Sequence, residues 1–173
     1  MTSTLKVSKI QDPTNGNTAI EIDSNGVVTR PVIPAWRVGR TANQSVGQGS
    51  SAVVVEFDRT TDQNCFVQGG CTISSGVVTV PVAGLYQINA NVRLNAVSAN
   101  YIEFYMVIND VATGTSNFSY FLKGSPNSSY DSGAVSSVFS LSASDNVRIK
   151  VFAGGDTSHT ISSYSTFSGV LIG

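Results

Sequence analysis

Few residues of this chain are suited to acid–base or nucleophilic chemistry. The single histidine, His159, follows the segment Gly154-Gly155-Asp156-Thr157-Ser158 and lies near many serines. A Ser-His-Asp triad needs a positioned nucleophile, yet the sequence contains no Gly-x-Ser-x-Gly elbow. We interpret His159 as part of a solvated loop. Glu56, Asp58 and Glu103 fall in predicted strands, where charged residues commonly occupy the solvent face. We therefore predict that the protein is not an enzyme.

The two cysteines are the next candidates for chemistry. Cys65 and Cys71 enclose five residues, and two cysteines cannot form a tetrahedral zinc site without help from histidine or acidic residues. Two alternatives remain, namely a pair of free thiols or one small disulfide across a tight loop. Synthesis of the protein in a reducing cytoplasm favours the free thiols. Release of the protein from the cell into oxygenated water favours the disulfide.

The charge balance argues against partners that are held by a basic surface. The 173 residues include 10 Lys or Arg and 11 Asp or Glu, a net charge of −1, so we predict no binding to nucleic acid. The first residues contain no apolar run of signal-peptide length, and no segment approaches the roughly 20 apolar residues of a transmembrane helix. We expect synthesis in a cytoplasm and no membrane insertion.

The composition is typical of an all-β protein. The chain has 23 Val, 25 Ser, 15 Thr, 13 Asn and 16 Gly against 3 Glu, 4 Lys and 6 Leu. Residues that favour strands and turns therefore dominate over helix formers. The length is sufficient for one compact domain and a small additional segment.

A short amino-terminal segment precedes the main domain. Its predicted strands, Leu5–Ile10, Ala19–Asp23 and Val27–Arg30, bury too little apolar area to be stable alone, so they must dock on a partner or on copies of themselves. Pro31 and Pro34 interrupt the pattern, which divides the chain into an attachment segment, 1–34, and a main domain, 35–173. The predicted anchor residues are Leu5, Val7, Ile10, Ile20 and Ile22.

From residue 35 onward, short strands alternate with loops rich in Ser, Gly and Asn, a pattern typical of a β-sandwich or barrel. The predicted strands are Ala35–Val38, Ser51–Phe57, Gly76–Val80, Gly84–Leu94, Tyr101–Ile108, Asn117–Leu122, Val135–Leu141, Asn146–Phe152 and Thr166–Ile172.

Two of these strands distribute their apolar residues differently. Gly84–Leu94 alternates apolar and polar residues, so one face belongs to the core and the other meets water. Tyr101–Ile108 is apolar on both faces, and its second face carries Tyr101, Tyr105 and Val107. These three are either scattered surface residues or a contact between subunits. We favour the subunit contact because aromatic residues are enriched in interface cores.

Six pieces of sequence resemble, in order, the globular head of complement protein C1q and its tumour-necrosis-factor-like relatives. They are Ala35-Trp36-Arg37-Val38, Val55-Glu56-Phe57-Asp58, Thr79–Tyr86, Ile108-Asn109, Leu141–Val147 and Phe167–Ile172. The resemblance implies a compact jelly roll that assembles as a parallel homotrimer through an aromatic and aliphatic sheet face. The sequence departs from the family at Thr160–Tyr164, which is short and Ser-rich for a penultimate strand, so its pairing is left open.

The amino-terminal segment resembles the leader strings of structural proteins in tailed bacteriophages, especially marine ones. The matching pieces are Lys6-Val7-Ser8-Lys9-Ile10, Asp12-Pro13-Thr14-Asn15-Gly16 and Ala19-Ile20-Glu21-Ile22-Asp23. Together the two resemblances imply a non-enzymatic virion protein, made in the host cytoplasm, whose trimeric knob is part of a fibre, spike tip or capsid decoration. Its amino terminus would bind another virion protein. The alternative is a free C1q-like binding module of lectin type.

Recognition of the host is expected at the end of the knob opposite the two termini. If Gly173 lies at the base, the last strand runs toward the base, and alternate loops counted back from it lie at the apex. The predicted host-binding residues in these loops, which would contact carbohydrate or protein, are Asp110, Thr113, Asp145 and Tyr164. Two alternatives stay open, namely that these loops are solvated turns or that ligands bind in the grooves between subunits.

A metal site is the remaining possibility, because relatives in the resembled family sometimes bind calcium between subunits. Asp110, Asp145 and Asp156 lie in predicted loops but form no Asp-x-Asp-x-Asp string. We expect no metal and no other cofactor unless threefold symmetry gathers one aspartate from each chain.

Overall fold

The computed structural model describes residues 7–11, 18–29, 33–46, 51–95, 99–110, 118–124, 129–155 and 159–173. The chain divides into two compact units, residues 1–33 and residues 34–173. The described residues form strands, turns and loops, without an α-helix. Consequently, this part of the chain has no helix long and apolar enough to span a membrane.

The first unit is a small antiparallel sheet of β1 (Lys9–Gln11), β2 (Thr18–Ile22) and β3 (Val28–Thr29). The Asp23 carboxylate holds the turn after β2 by accepting hydrogen bonds from the backbone N–H groups of Asn25 and Val27 at 2.8 Å. Gly26 in this turn has a φ of +80°, a conformation that glycine adopts without steric cost. Val27 and Val28 are exposed, so the sheet leaves apolar side chains in contact with solvent.

The second unit is a sandwich of two antiparallel sheets. The strands of the first sheet are β4 (Ala35–Gly39), β5 (Gln44–Val46), β7 (Phe66–Gln68), β10 (Gly84–Asn95), β13 (Tyr130–Leu141), β15 (His159–Ile161) and β16 (Thr166–Leu171). Those of the second sheet are β6 (Val53–Val54), β8 (Thr72–Ser74), β9 (Val77–Thr79), β11 (Tyr101–Ile108), β12 (Phe118–Gly124) and β14 (Asn146–Gly154).

The pairing of these strands is that of a jelly roll. In the first sheet β10 lies between β13 on one side and β16 and β15 on the other, and β4 joins β16 to β7. The second sheet has the order β12, β11, β14, β9 and β8, and β6 also pairs with β14. The prediction of an all-β jelly roll is confirmed.

The core lies between the two sheets, as the alternation of β10 predicts. Alternate residues from Tyr86 to Leu94 are buried, and those between them face outward. An aromatic cluster joins the strands at the centre, with Phe167 placed 5.6 Å from the Trp36 ring and 5.4 Å from the Phe57 ring between centroids. Such packing of large rings provides much of the apolar burial that stabilises a sandwich of this size.

Gly169 on β16 allows Trp36 to lie against the backbone. A Cβ atom at Gly169 would lie 2.3 Å from two carbon atoms of the Trp36 ring, which is fully buried. We expect Gly169→Ala to lower the free energy of unfolding by about 2–3 kcal/mol, because the ring has no free space to move into. Chemical denaturation measures this loss. The control, Ser168→Ala, should change the value by less than about 0.5 kcal/mol, and an equally small effect of Gly169→Ala would contradict the close packing.

Three strands, β5, β7 and β8, are not predicted from the sequence pattern, and β15 overlaps only the beginning of the short penultimate segment Thr160–Tyr164. The predicted strand Ser51–Phe57 is reduced to the two residues of β6. At this position the side chain of Gln44, rather than a neighbouring strand, forms hydrogen bonds with the backbone. The Gln44 amide donates to the Val54 carbonyl and accepts from the Glu56 N–H, both at 3.0 Å. The backbone groups are therefore satisfied without a longer ladder.

The strands β15 and β16 are two parts of one interrupted strand along the same edge of β10. Ile161 pairs with Leu94 and Thr166 pairs with Asn91, both in the antiparallel sense. Residues 162–165 thus oppose only two residues of β10 and form a bulge. The pairing that the sequence leaves open for the penultimate strand is with β5 on one side and β10 on the other.

Candidate functional site

The predicted residues Asp110 and Asp145 lie at the same end of the sandwich. The Asn109 amide, beside Asp110, donates to the Asp145 carboxylate at 2.8 Å. Asp110 itself forms ion pairs with Arg148, at 3.4 Å, and with Lys150, and the hydrogen bond from Lys150 lowers its pKa. Both carboxylates therefore have partners within the fold. Thr113, the third residue predicted in this region, lies outside the described residues.

This end is the base of the knob rather than its apex. The carbonyl groups of Pro34 and Gly173, where the unit begins and ends, accept backbone hydrogen bonds from the strand residues there. The strand β13 ends at the same place, since Leu141 pairs with Gly84, and the loop 142–145 follows directly. The expectation that the two acidic loops lie at the apex is therefore wrong.

Tyr164 lies toward the opposite end, in the bulge 162–165. Its neighbour Arg93 lies nine positions along β10 from Gly84 at the base, or about 30 Å at the usual rise of a strand. Counting loops back from the carboxyl terminus assigns them to alternate ends only if every strand reverses direction. The chain does not reverse between β15 and β16, and this separates Tyr164 from the other two predicted residues.

The second face of β11 is largely covered within the single chain. Tyr105 is 8% exposed and Val107 is 3% exposed, while Tyr101 retains 38% of its surface. The neighbouring strand β14 places Lys150 opposite Tyr105 and Arg148 opposite Val107. The premise of an exposed apolar face on this strand is therefore wrong. The assignment of these residues to a subunit contact stays a prediction, but the exposure of this face no longer supports it.

The predicted anchor residues belong to the first unit. Val7, Ile10 and Ile22 are exposed, and Ile20 is half-buried. Leu5 lies outside the described residues. The first unit thus presents several large apolar side chains that its own sheet does not cover.

An apolar patch lies near the base on the outward face of the first sheet. Val138 on β13 and Val170 on β16 both stand opposite Gln87 on β10, and Leu85 lies two residues before Gln87 on the same face. Ile172 follows β16 and donates its N–H to the Leu85 carbonyl at 2.8 Å. These four apolar residues, 36% to 53% exposed, surround Gln87, and we call them the base patch.

Two exposed tyrosines hold an arginine farther along the same face. The Arg93 guanidinium lies 4.4 Å from the centroid of the Tyr130 ring and 5.3 Å from that of Tyr164. Tyr130 is 59% exposed and Tyr164 is 75% exposed, so both rings keep a free surface. We call these three residues the tyrosine–arginine cluster. Exposed aromatic rings fixed by a cation are typical of binding surfaces.

A cavity of about 140 Å³ lies beside β4, next to this cluster. It is lined by Arg37, Arg59, Gln63, Cys65 and residues 163–166, and we call it the arginine cavity. Arg37 is an outward-facing residue of β4, opposite Ser168 of β16. Strand pairing and one turn thus bring together two arginines that are 22 positions apart in the sequence.

The turn before β7 forms one wall of the arginine cavity. Asp62, Gln63 and Asn64 have φ values of 62°, 44° and 62°, so three successive residues adopt the left-handed conformation, at about 1 kcal/mol each. Arg59 holds this turn, since its Nε lies 3.7 Å from the Asp62 carboxylate and its guanidinium donates to the Gln63 side chain. The Cys65 N–H closes the turn by donating to the Asp62 carbonyl at 2.6 Å.

The two cysteines are free and lie apart. The Cys65 Sγ lies 3.7 Å from where a Cβ of Gly39 would be, whereas the Cys71 thiol is hydrogen-bonded to the backbone of Ala35. Ala35 and Gly39 stand at opposite ends of β4, about 13 Å apart at the usual rise per residue. A disulfide spans a much shorter distance, so of the two alternatives the structure contains the free thiols.

We expect the two thiols to differ strongly in reactivity. Burial raises the pKa of the Cys71 thiol to about 11, so only about 0.1% of it is thiolate at pH 8. Cys65 is partly exposed and lines a cavity. Alkylation at pH 8, followed by mass spectrometry, should label Cys65 in the folded protein and Cys71 only after unfolding. Cys71→Ser should leave labelling of the folded protein unchanged. Equal labelling of both positions would contradict this assignment.

His159 does not lie in a solvated loop. It is a buried residue of β15 and pairs with Val46 of β5, so the expectation of a solvated position is wrong. The segment Thr160–Tyr164 is strand only at its beginning, which the Ser-rich sequence conceals. Across the described ranges, no three His, Cys, Asp or Glu residues are grouped so that they could hold a metal ion.

The sequence pattern predicts Tyr164 but not the residues around it. Arg37 and Arg59 line one cavity and Arg93 contacts the Tyr164 ring, although the three arginines are distant in the sequence. The sequence does contain one signal for the base patch. Leu85 and Val138 are apolar residues at strand positions where the alternating pattern otherwise places polar residues facing water.

The C1q domain family matches residues 35–172 of this chain. C1q domains are typically non-enzymatic binding modules, and they commonly form trimers. No curated protein matches the chain.

Proposed function

The chain belongs to the C1q domain family through residues 35–172, and from this premise we propose that it is a non-enzymatic bacteriophage virion protein. In this proposal the second unit is a homotrimeric knob that contacts the host surface. The knob is part of a fibre, a spike tip or a capsid decoration, and the first unit attaches it to another virion protein.

The base patch is the observation that carries the trimer. Leu85, Val138, Val170 and Ile172 expose apolar surface close together on one face in the single chain, and grouped exposure of this kind marks contacts between proteins. A closed threefold arrangement buries one patch on each of three subunits. Tyr105 and Val107 are already removed from water within the chain, so we place the contact on the first sheet instead.

The attachment role of the first unit is supported by its surface and its sequence. Val7, Ile10 and Ile22 are exposed on a sheet of three short strands, which suits a segment that gains its core from a partner. The resemblance of residues 6–23 to bacteriophage leader strings points to a virion protein as that partner. The same resemblance supports the virion as the location of the protein.

Host contact is proposed for the end of the knob that carries Tyr164. This end lies away from Pro34 and Gly173, where the second unit begins and ends. Asp110 and Asp145 lie at the base and have partners in the fold, so they suit this role less well. Three copies around one axis would multiply a weak contact through their effective concentration.

Imaging of virions tests the location directly. Cryo-electron microscopy of particles that carry the gene should show knobs at fixed positions, and particles from a deletion strain should lack them. The second candidate, a free binding module of lectin type, is favoured by the tyrosine–arginine cluster, which needs no virion to bind a ligand. Protein that stays in the lysate and is absent from purified particles would select this second candidate.

A further inference from the structure

We propose that the arginine cavity binds the carboxylate of an acidic carbohydrate and that the Tyr164 ring carries the attached sugar. The inference rests on the proposed role as a binding protein, and it names the class of ligand bound at the end of the knob that carries Tyr164. Arg37, Arg59, Tyr164 and residues 163–166 line the cavity together.

The arginines of the cavity are incompletely paired. Arg37 is exposed and forms no ion pair with any residue that the structure describes. The carboxylate nearest to Arg59 is that of Asp62, at 3.7 Å from Nε, and it is largely exposed to solvent. The Arg59 Nε is buried, and no acceptor for it occurs in the described part of the chain. A buried donor of this kind requires a water or a ligand atom, and two guanidinium groups together favour an anion.

The dimensions of the cavity suit one small anionic group rather than a polymer. About 140 Å³ equals the share of roughly four or five water molecules in the liquid. A carboxylate and the ring atoms that bear it fit this space, and the rest of a sugar chain would extend along the surface. Ser163 and Thr166 line the same space, and their hydroxyl groups suit the hydroxyl groups of a sugar. The Ser165 hydroxyl is bonded instead to the backbone of Arg93.

The adjoining tyrosine supplies a surface for the sugar ring. Tyr164 lines the cavity and is 75% exposed, while Arg93 lies 5.3 Å from the centroid of its ring and holds the ring in place. The C–H face of a pyranose packs on such rings with little loss of side-chain entropy. A peptide carboxylate would use the arginines equally well but would gain nothing specific from the exposed ring. The combination therefore favours an acidic carbohydrate.

Calorimetric titration of the full chain with trigalacturonic acid tests the proposal. We expect a dissociation constant on the order of 1 mM for this short probe. The methyl ester of the same trisaccharide lacks the charges and should bind at least about tenfold more weakly. Arg37→Gln should weaken binding of the acid by about tenfold or more, and Tyr164→Ala by about threefold to tenfold. The control, Lys9→Gln, removes the same charge from the first unit and should leave binding unchanged.

Specific results would overturn the proposal. Equal binding of the acid and its ester would exclude the carboxylate, and unchanged binding by Arg37→Gln would exclude the cavity, provided that both proteins melt at the same temperature. Binding of N-acetylglycylglycine as tight as that of trigalacturonic acid would replace the carbohydrate by a peptide. A trimer that is present on virions yet binds no uronate would refute this inference alone. A monomer absent from virions would refute the proposed function instead.

Discussion

Replacing Val138 with aspartate is expected to convert the proposed trimer into monomers. Val138 lies in the base patch, and a carboxylate placed there would lose its water in the subunit contact without gaining a partner. The cost is about 3 kcal/mol or more for each subunit, which outweighs the contribution of a single side chain to such a contact. Light scattering at micromolar concentration should give three times the chain mass of 18.1 kDa for the original protein and the single mass for the variant.

The control variant is Tyr101→Glu. Like Val138→Asp, it places a carboxylate at an exposed apolar position, but on the second sheet rather than the first. Tyr101 is exposed enough to accept this change, whereas Tyr105 is buried within the chain and its replacement would damage the fold. The trimer should survive Tyr101→Glu. Dissociation by Tyr101→Glu alone would place the contact on β11, as the sequence pattern predicts, and a monomeric original protein would refute the trimer.

Deleting residues 1–33 is expected to leave the knob folded and to abolish its presence on virions. The second unit, 34–173, contains the entire buried core of the sandwich, so its melting temperature should change by only about 2 °C. The first unit has short strands and exposed apolar residues, and it would supply the contact to the virion. Purified particles, assembled with the truncated chain supplied in excess, should contain none of it by quantitative mass spectrometry.

A full-length variant separates loss of contact from loss of the segment itself. Replacing Ile10 and Ile22 by serine removes exposed apolar surface but keeps every strand of the first unit. This variant should also be depleted from particles, while Glu21→Gln, a polar change in the same sheet, should be incorporated normally. Normal incorporation of the truncated knob would show that the attachment site lies in the second unit.

Much of the architecture follows from local patterns in the sequence. The alternation along Gly84–Leu94 predicts which residues of β10 are buried, and the predicted limits of Tyr101–Ile108 are those of β11. Both results arise because successive side chains of a strand point to opposite faces, a rule that needs no knowledge of the neighbours. Composition and the ordered match to the C1q head were sufficient for the all-β jelly roll.

Pairing between distant strands determines the remaining features. Tyr105 and Val107 look exposed from their own strand, yet their surroundings, including Arg148 and Lys150 on β14, leave them buried. The bulge 162–165 keeps β15 and β16 on one edge of β10 and running in the same direction. Every loop that precedes the bulge in the sequence therefore lies at the end opposite to the one predicted. The arginine cavity likewise exists only where β4, β16 and the turn at 62–64 meet. A sequence specifies the faces of each strand locally, whereas which side chains meet across strands depends on register, and register is set by the packing of the whole sandwich.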